Sequence, residues 1–414
     1  MKRFIIPGLG IAVSLTLICV VIFVILEDLE IKRSLTAFIN STGGWGVLAC
    51  GFIKLPIVFE HGPDHYYVVW ESGCAANKSS LEWWANDTPI GGANVSHHVV
   101  NAQYKMIDKA HHRYSAIIGP VGLATKVHYK SFSQNLSTGD FTITRRNETE
   151  LTRILVIADN QDESNEFRQV LSSIQNYYGK GNAPDAILHA GDSVQTARNH
   201  DHDKIRTPTN GNVYTDMYHG ILATEGLGEP AVVNGSYHRF FHTTSLGSAR
   251  IVVLDSECPS PEQLEFLEQE LQSEAFQSAQ FRIVTVHIAP YIEFWDPSAW
   301  NKRGEKHWGE HVRLEYDPLF RRHNVDLVIS GHQHNYQRAT VQRDPQSKHS
   351  SSITYAIVGG AGGELDLVRV ENWNMYNVTY LDHHFVALEV ENQELRWTAK
   401  NKGGDTIDTF SIVR

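Results

Sequence analysis

The sequence predicts an α/β domain preceded by an all-β sandwich and an N-terminal transmembrane helix. Three observations carry this: an apolar run at the amino end, short strand-like runs over 48–148, and continuous apolar strands alternating with amphipathic helices from about 150 onward. At 414 residues, with 42% hydrophobic and 20% charged residues, the chain is long enough for two or three domains with real cores. The net charge of -11 argues against a nucleic-acid surface.

The first residues set an expectation for compartment. Residues 1–3 form a short tail in which Lys2 and Arg3 precede the apolar run from Phe4 to Leu26. Such a run spans a bilayer core of roughly 30 Å. It passes straight into Glu27-Asp28-Leu29-Glu30 rather than a small-residue cleavage site, so an uncleaved signal anchor is expected. Basic residues on the amino side place that end in the cytoplasm and the body outside, in the extracellular space or a secretory or vacuolar lumen. N-x-[ST] sequons at Asn40, Asn77, Asn86, Asn94, Asn135, Asn147, Asn234 and Asn377 agree with a glycoprotein. Cys50 and Cys74 could pair in an oxidising lumen, with Cys258 left over and Cys19 inside the apolar run.

Residues 27–47 read as a stalk. Over 48–148 short β-like runs follow at 66–70, 97–106, 113–119, 126–132 and 140–145, separated by turn signals at the spacing of a β-sandwich. In Phe141-Thr142-Ile143-Thr144 apolar and polar residues alternate, as in a strand with one buried face. No catalytic constellation lies here.

From 150 to 414 the pattern changes. ILVIAD (154–159) and DAILHAGD (185–192) are continuous apolar strands. Between them Phe167, Val170, Leu171 and Ile174 share one helix face. ARIVVLDSE (249–257) is a further strand, and Ser260-Pro261-Glu262-Gln263 reads as a capped helix start, with Gln263 at the capping-box position and Leu264, Leu267 and Leu271 on the buried face. FRIVTVH (281–287) and VDLVISGH (325–332) complete a set of βαβ units, and the β-rich end from Ile353 reads as antiparallel.

Each of four strands ends in a potential ligand: Asp159, Asp192, His287, and the pair His332 and His334. Caps and turns also favour Asp and His, but four strands delivering carboxylates and imidazoles to one edge of one sheet point to a metal site. Mixed oxygen and nitrogen donors suit Zn, Mn or Fe. Three histidines and two carboxylates exceed what one tetrahedral ion needs, and two ions roughly 3.5–4 Å apart sharing a carboxylate use the supply better. Trp83, Trp84, Trp295, Trp300 and Trp308 read as packing residues.

The series AGDSVQ, VTVHIAPY, ISGHQHNYQR and IVGGAGGELD resembles the calcineurin-like metallophosphoesterase superfamily, within it the purple-acid-phosphatase-like branch. HRYSAIIGP and KVHYKSF resemble that branch's fibronectin type III-like amino-terminal domain. The resemblance implies a metallophosphoesterase sandwich with mixed sheets. It also implies a first ion on Asp159, Asp192 and His334, and a second on Asp192, His287 and His332.

Three positions depart from the pattern. Gln161 stands where His is frequent, and could either ligate through its carbonyl or hydrogen-bond from outside the ligand set. Gln195 stands where true purple acid phosphatases carry the iron-binding Tyr, which argues against a ferric tyrosinate centre and for Mn, Zn, Mg or mixed Fe. The Gly-Asn-His motif is incomplete: Gly211-Asn212-Val213 offers the Asn without the His, while Asn199-His200-Asp201 has the right letters too close to Asp192 for a crossover. His200, His202 and His219 are candidate proton donors. Arg338, like Tyr336, follows the His pair and could reach a bound phosphate.

The expected function is a membrane-anchored, extracytoplasmic phosphatase that hydrolyses small phosphomonoesters with water activated by two metal ions. A phosphodiesterase or nucleotide hydrolase on the same core, and a weakened core serving as a cell-surface binding module, are the alternatives.

Overall fold

A computed structural model describes residues 51–60, 64–76, 78–85, 97–106, 112–122, 125–144, 151–161, 165–179, 183–192, 229–233, 236–257, 259–295, 309–344 and 351–414. The expected tail, membrane span and stalk (1–47) lie outside these residues, as do Gln195, His200, His202, Asn212, His219, Trp300 and Trp308. Among the described residues no helix is long and apolar enough to cross a membrane.

The first nine strands are β1 (Phe52–Glu60), β2 (Tyr66–Ser72), β3 (Ser79–Ala85), β4 (His97–Asn101), β5 (Gln103–Met106), β6 (His112–Ile118), β7 (Lys126–Ser133), β8 (Leu136–Ser137) and β9 (Phe141–Thr144). They form two antiparallel sheets, one ordered β1-β2-β6-β5, the other β4-β3-β7-β8 with β9 also on β7. Val68, Trp70, Tyr114 and Ile118 of one sheet meet Leu81, Trp83, Val127 and Tyr129 of the other in a shared core. Side chains of this size contribute roughly 1.5–3 kcal/mol each when buried.

The single strand expected over 97–106 divides at Ala102. β4 pairs with β3 in one sheet and β5 with β6 in the other, so the chain changes sheets there. Ala102 N–H donates to Ser79 O at the crossing. Cys74 is disulfide-bonded; Cys50 and Cys258 lie outside the described residues. Of the sequons, Asn135 and Asn377 are described, and both are exposed.

The second unit contains β10 (Thr152–Ile157), α1 (Asn165–Tyr178), β11 (Ala186–His189), β12 (Glu229–Val233), β13 (Ser236–Leu246), β14 (Ala249–Leu254), α2 (Pro261–Gln272), α3 (Glu274–Ser278), β15 (Phe281–Val286), α4 (Asp317–Arg322) and β16 (Leu327–Ser330). It continues with β17 (Tyr336–Gln342), β18 (Ser352–Val358), β19 (Val378–Tyr380), β20 (His384–Glu391), β21 (Glu394–Asn401) and β22 (Thr406–Val413). A five-stranded sheet runs β11-β10-β20-β21-β22, and an eight-stranded sheet runs β12-β13-β14-β15-β16-β18-β17-β19. The sheets pack face to face: Ile154, Val156 and Leu388 of the first meet Ile251, Ile283, Leu327 and Ile329 of the second. α1 covers the outer face of the smaller sheet, and α2, α3 and α4 that of the larger. The result is an α/β/β/α sandwich.

Three expectations change. β10 and β11 belong to one sheet and β15 and β16 to the other, so the ligand-bearing strand ends converge from two sheets rather than one. β18, expected to be antiparallel, pairs parallel with β16. In α1 the buried stripe is Val170, Ser173, Ile174 and Tyr178, while Leu171 is 38% exposed. The Ser260 cap forms, its Oγ accepting from Gln263 N–H at 3.2 Å. The Gln263 side chain does not close the capping box. It accepts from Asp255 N–H (2.6 Å) and donates to Asp255 O (2.7 Å), tying α2 to the end of β14.

Candidate metal centre

The backbone at the strand ends is unusual before any side chain is considered. Asp159, Asp192 and His332 have φ of 58°, 50° and 70°, the left-handed region that costs roughly 1–2 kcal/mol for a residue with a Cβ. Three such residues within one cluster mark a place where position outweighs local stability.

The two carboxylates are clamped by main-chain bonds. Asp159 N–H donates to Gly191 O (3.0 Å) and Asn160 N–H to Asp192 O (3.1 Å), so the tips of β10 and β11 are tied together. Gly191, at φ 111°, packs so closely that a Cβ there would collide with His287 Nδ1. His189 adds a side-chain clasp across the same tips: its Nε2 lies 2.6 Å from Asn160 Oδ1, and its Nδ1 accepts from Gly191 N–H. No sequence pattern marks this clasp, because His189 ends one strand, Asn160 follows another, and the two meet only once those strands are paired.

From the other sheet come the imidazoles. Gly331 N–H donates to His287 O (3.0 Å), joining the ends of β16 and β15. His332 N–H donates to both oxygens of Asp159, at 3.1 and 2.9 Å, bridging the sandwich. His287 Nδ1 lies 2.8 Å from Ala190 O and His334 Nδ1 lies 2.6 Å from Glu364 O. Each carbonyl can accept only from a protonated Nδ1, which turns Nε2 toward the centre. His334 is also fixed by its own N–H, which donates to Asp366 Oδ2 at 2.7 Å. Glu364 and Asp366 belong to the glycine-rich segment, and its Gly359 passes so close to Gln333 O that a Cβ would overlap it.

The donor atoms are spaced as co-ligands are. His287 Nε2 is 3.5 Å from Asp192 Oδ2 and 4.0 Å from Asp159 Oδ1, and His334 Nε2 is 3.5 Å from Asp159 Oδ1. Ligand bonds of about 2.0–2.2 Å put neighbouring donors roughly 3–4 Å apart, whereas direct hydrogen bonds would be shorter. One donor atom each from Asp159, Asp192 and His287 lies within 4.8 Å of the others. Gln161 is buried, its Nε2 is 3.1 Å from His334 Nε2, and its Oε1 has no hydrogen-bond partner. A buried amide oxygen without a donor fits a cation. These residues therefore suit a metal.

Electrostatics agrees. Burial alone would lower the His287 imidazole, but the carboxylates of Asp192 and Asp159 outweigh it and push it up to about 10. Burial likewise opposes charge on His334, yet its bond to Asp159 takes it to about 9. Burial raises the fully enclosed Asp159, while at Asp192 the three imidazoles overcome burial and lower the carboxyl. The cluster demands positive charge between its carboxylates, which protons satisfy when nothing else does.

Two sequence readings need correction or extension. Arg338 does not face the centre. Its fork grips Asp408 through Nε–Oδ2 (2.5 Å) and Nη2–Oδ1 (3.1 Å), and it lies over the Phe410 ring. Tyr336 is fully buried and donates to the same Asp408 at 2.6 Å. Asp408 lies seventy residues downstream, so sequence spacing could not reveal the pair. Arg338→Ala is expected to cost about 3 kcal/mol in chemical denaturation, as loss of a buried ion pair does, with metal content unchanged. Trp295, read as a packing residue, stacks on His332 with ring centroids 4.4 Å apart at 25°. It thus borders the centre directly.

The comparisons with known proteins agree with this geometry. Residues 152–336 match the family model for calcineurin-like phosphoesterases. Over those residues the chain is similar to that family. Within that family, the chain resembles purple acid phosphatases. It is 28% identical over 213 residues, 44% of this chain and 40% of the relative, to Fe(3+)-Zn(2+) purple acid phosphatase 12 of Arabidopsis thaliana. It is 26% identical over 200 residues, 42% of this chain and 30% of the relative, to a protein named probable inactive purple acid phosphatase 24 of the same plant. The chain thus spans less than half the length of these curated relatives. The solved structure of purple acid phosphatase PPD1 from yellow lupin superposes with a TM-score of 0.63 at 16% identity, over 87% of this chain and 74% of that one. The likeness to that phosphoesterase structure is one of fold.

Proposed function

We propose that this calcineurin-like phosphoesterase is a metal-dependent phosphatase acting on small phosphomonoesters. The observation that carries the reading is the convergence of Asp159, Asp192, His287, His332 and His334 from strand ends of two facing sheets, with donor atoms of Asp159, Asp192, His287 and His334 lying 3.5–4.0 Å apart. Asp159, Asp192 and His334 would hold one ion, and Asp192, His287 and His332 a second. Gln161, and Asn212 outside the described residues, are further donors. Bound divalent or mixed-valence ions would supply Lewis acidity at the phosphoryl group and activate water at neutral pH.

The chain's own residues set the stage for that chemistry. Ala190 O and Glu364 O hold His287 and His334 in the tautomer that turns Nε2 inward. His332 N–H fixes the Asp159 carboxylate, and the His189–Asn160 clasp keeps both aspartates in register. His200 and His219 are the proposed proton donors. An N-terminal anchor at 4–26 and N-linked glycans would place the domain on the extracytoplasmic side of a membrane.

The test is an assay of the full-length, metal-loaded protein on p-nitrophenyl phosphate and bis-p-nitrophenyl phosphate from pH 4 to 9. Turnover of the monoester ahead of the diester supports the reading. Preference for the diester points to a phosphodiesterase, and turnover of neither removes the enzyme reading.

Metal and proton should compete visibly. Because His287 and His334 have folded values raised above 6.5, the apo protein gains stability below that pH and loses it as pH climbs through about 9 to 10. Metal affinity rises over the same window. The melting-temperature gap between metal-loaded and chelated protein is therefore expected to widen from pH 6.5 to 9.5. A gap that narrows would count against imidazole ligation.

A further inference from the structure

Between the two histidines of the Gly331-His332-Gln333-His334 turn stands a side chain with a different task. Gln333 is fully buried. Its Oε1 accepts from two successive main-chain donors, Glu293 N–H at 2.8 Å and Phe294 N–H at 2.7 Å. An amide oxygen has two lone pairs and can serve both, whereas the amide nitrogen can serve neither, so the contact fixes which way the side chain faces. The next residue, Trp295, stacks its indole on the His332 ring, with centroids 4.4 Å apart at 25°. One side chain therefore joins the turn that carries His332 to the segment that covers it.

The turn needs that support. His332 has φ 70° and sits in the middle of a three-residue turn closed by Gln333 N–H to Gly331 O at 2.8 Å. Such turns are rare and strained, and the strain persists only where the surroundings over-determine the conformation. The His287 and His334 rings are each turned by a carbonyl at Nδ1, from Ala190 and Glu364. His332 has an aromatic face laid against it instead. The covering segment is itself held from behind. The buried Glu293 carboxylate accepts from Trp373 N–H at 2.9 Å and from Gln337 Nε2 at 3.1 Å, and Glu293 O accepts from Val370 N–H at 2.7 Å. With its far side fixed, the segment meets His332 at the place where Gln333 grips it.

We propose that Gln333 is a positioning residue: by gripping Glu293 and Phe294 it holds the Trp295 indole against His332 and sets the plane in which that imidazole meets its metal ion. The inference rests on the two-ion phosphatase reading for its consequence, and on the contacts of Gln333 and Trp295 for its cause.

The experiment uses the full-length protein, stripped with chelator and carrying isotope-labelled histidine rings for magnetic resonance. The His332 signal is assigned as the one lost in His332→Ala. In the metal-free parent it should lie upfield of exposed histidines, because the ring faces an indole. It should return toward them in Trp295→Ala and in Gln333→Met, which matches glutamine in length and has no oxygen. Gln333→Asn, one methylene shorter, is the milder lesion to use where Gln333→Met does not fold. Zinc is then titrated calorimetrically. The binding event that His332→Ala abolishes is expected to weaken roughly 10- to 100-fold in the Gln333 variants. The event that survives His332→Ala should keep its affinity, which a general loosening of the fold would not allow. Adding Trp295→Ala to Gln333→Asn should weaken the first event no further than Trp295→Ala alone, as residues acting through one contact do. An unshifted His332 signal in the parent, a shifted one that the Gln333 variants keep, or a lost shift with both ions bound at parent affinity overturns the inference. A parent that binds no zinc removes the two-ion reading, and the ring signal then decides alone whether Gln333 holds the indole on His332.

Discussion

Asp192→Asn is expected to lower phosphomonoester turnover by about a thousandfold and to leave the protein with no more than one bound metal ion. Asp192 is the carboxylate proposed above to be shared by both ions, and it lies 3.5 Å from His287 Nε2. An amide offers a single neutral donor oxygen, so the two positive centres would face each other with less negative charge between them. Losing several kcal/mol of charge stabilisation, at about 1.4 kcal/mol per factor of ten, gives the expected size. Side-chain exposure of 51% means the change itself opens no cavity in the core, so the fold should persist. Elemental analysis beside steady-state kinetics checks both halves. Turnover within tenfold of the parent would show that Asp192 is not a shared ligand.

Gly191→Ala is expected to be more severe than its single methyl suggests. Gly191 sits at φ 111°, where a Cβ is strained whatever the space, and that Cβ would meet His287 Nδ1. Either the turn that carries Asp192 moves or the imidazole does. Strain and overlap together should cost about 3 kcal/mol, a fall of roughly 10 °C in melting temperature for a domain this size. Metal content should fall as well, because both outcomes displace a proposed ligand. Differential scanning calorimetry with metal analysis separates this from a purely structural effect, in which stability drops and metal is retained.

The parts of this molecule that were legible in its sequence share a physical reason. ILVIAD and VDLVISGH are strands covered on both faces, and such strands show as continuous apolar runs whose ends are easy to find. That made Asp159, Asp192, His287, His332 and His334 conspicuous at once. Sheet membership left no such mark. Periodicity says that a strand is buried, not which neighbour it pairs with, so the sequence reads as one sheet where the fold has two. β1 and β3 escaped notice because Pro56 interrupts one and the adjacent Trp83-Trp84 breaks alternation in the other. The switch at Ala102 is invisible for a related reason: both halves read as strand, and only pairing distinguishes them.

Side-chain partners distant in sequence were the other blind spot. Arg338 follows the histidine pair closely enough to suggest phosphate binding, yet its guanidinium belongs to Asp408. Trp295 looked like packing and instead lies on His332. In the glycine-rich segment the motif drew attention without explaining itself. The close passage of Gly359 over Gln333, and the hold of Glu364 and Asp366 on His334, supply the explanation.

The most direct test is metal stoichiometry. The full-length protein, stripped with chelator and reloaded in turn with Zn, Mn and Fe, should retain two equivalents per chain after desalting. His287→Ala and His334→Ala should each lower that number. No retained metal, or one equivalent held equally by the parent and both variants, would contradict the two-ion site.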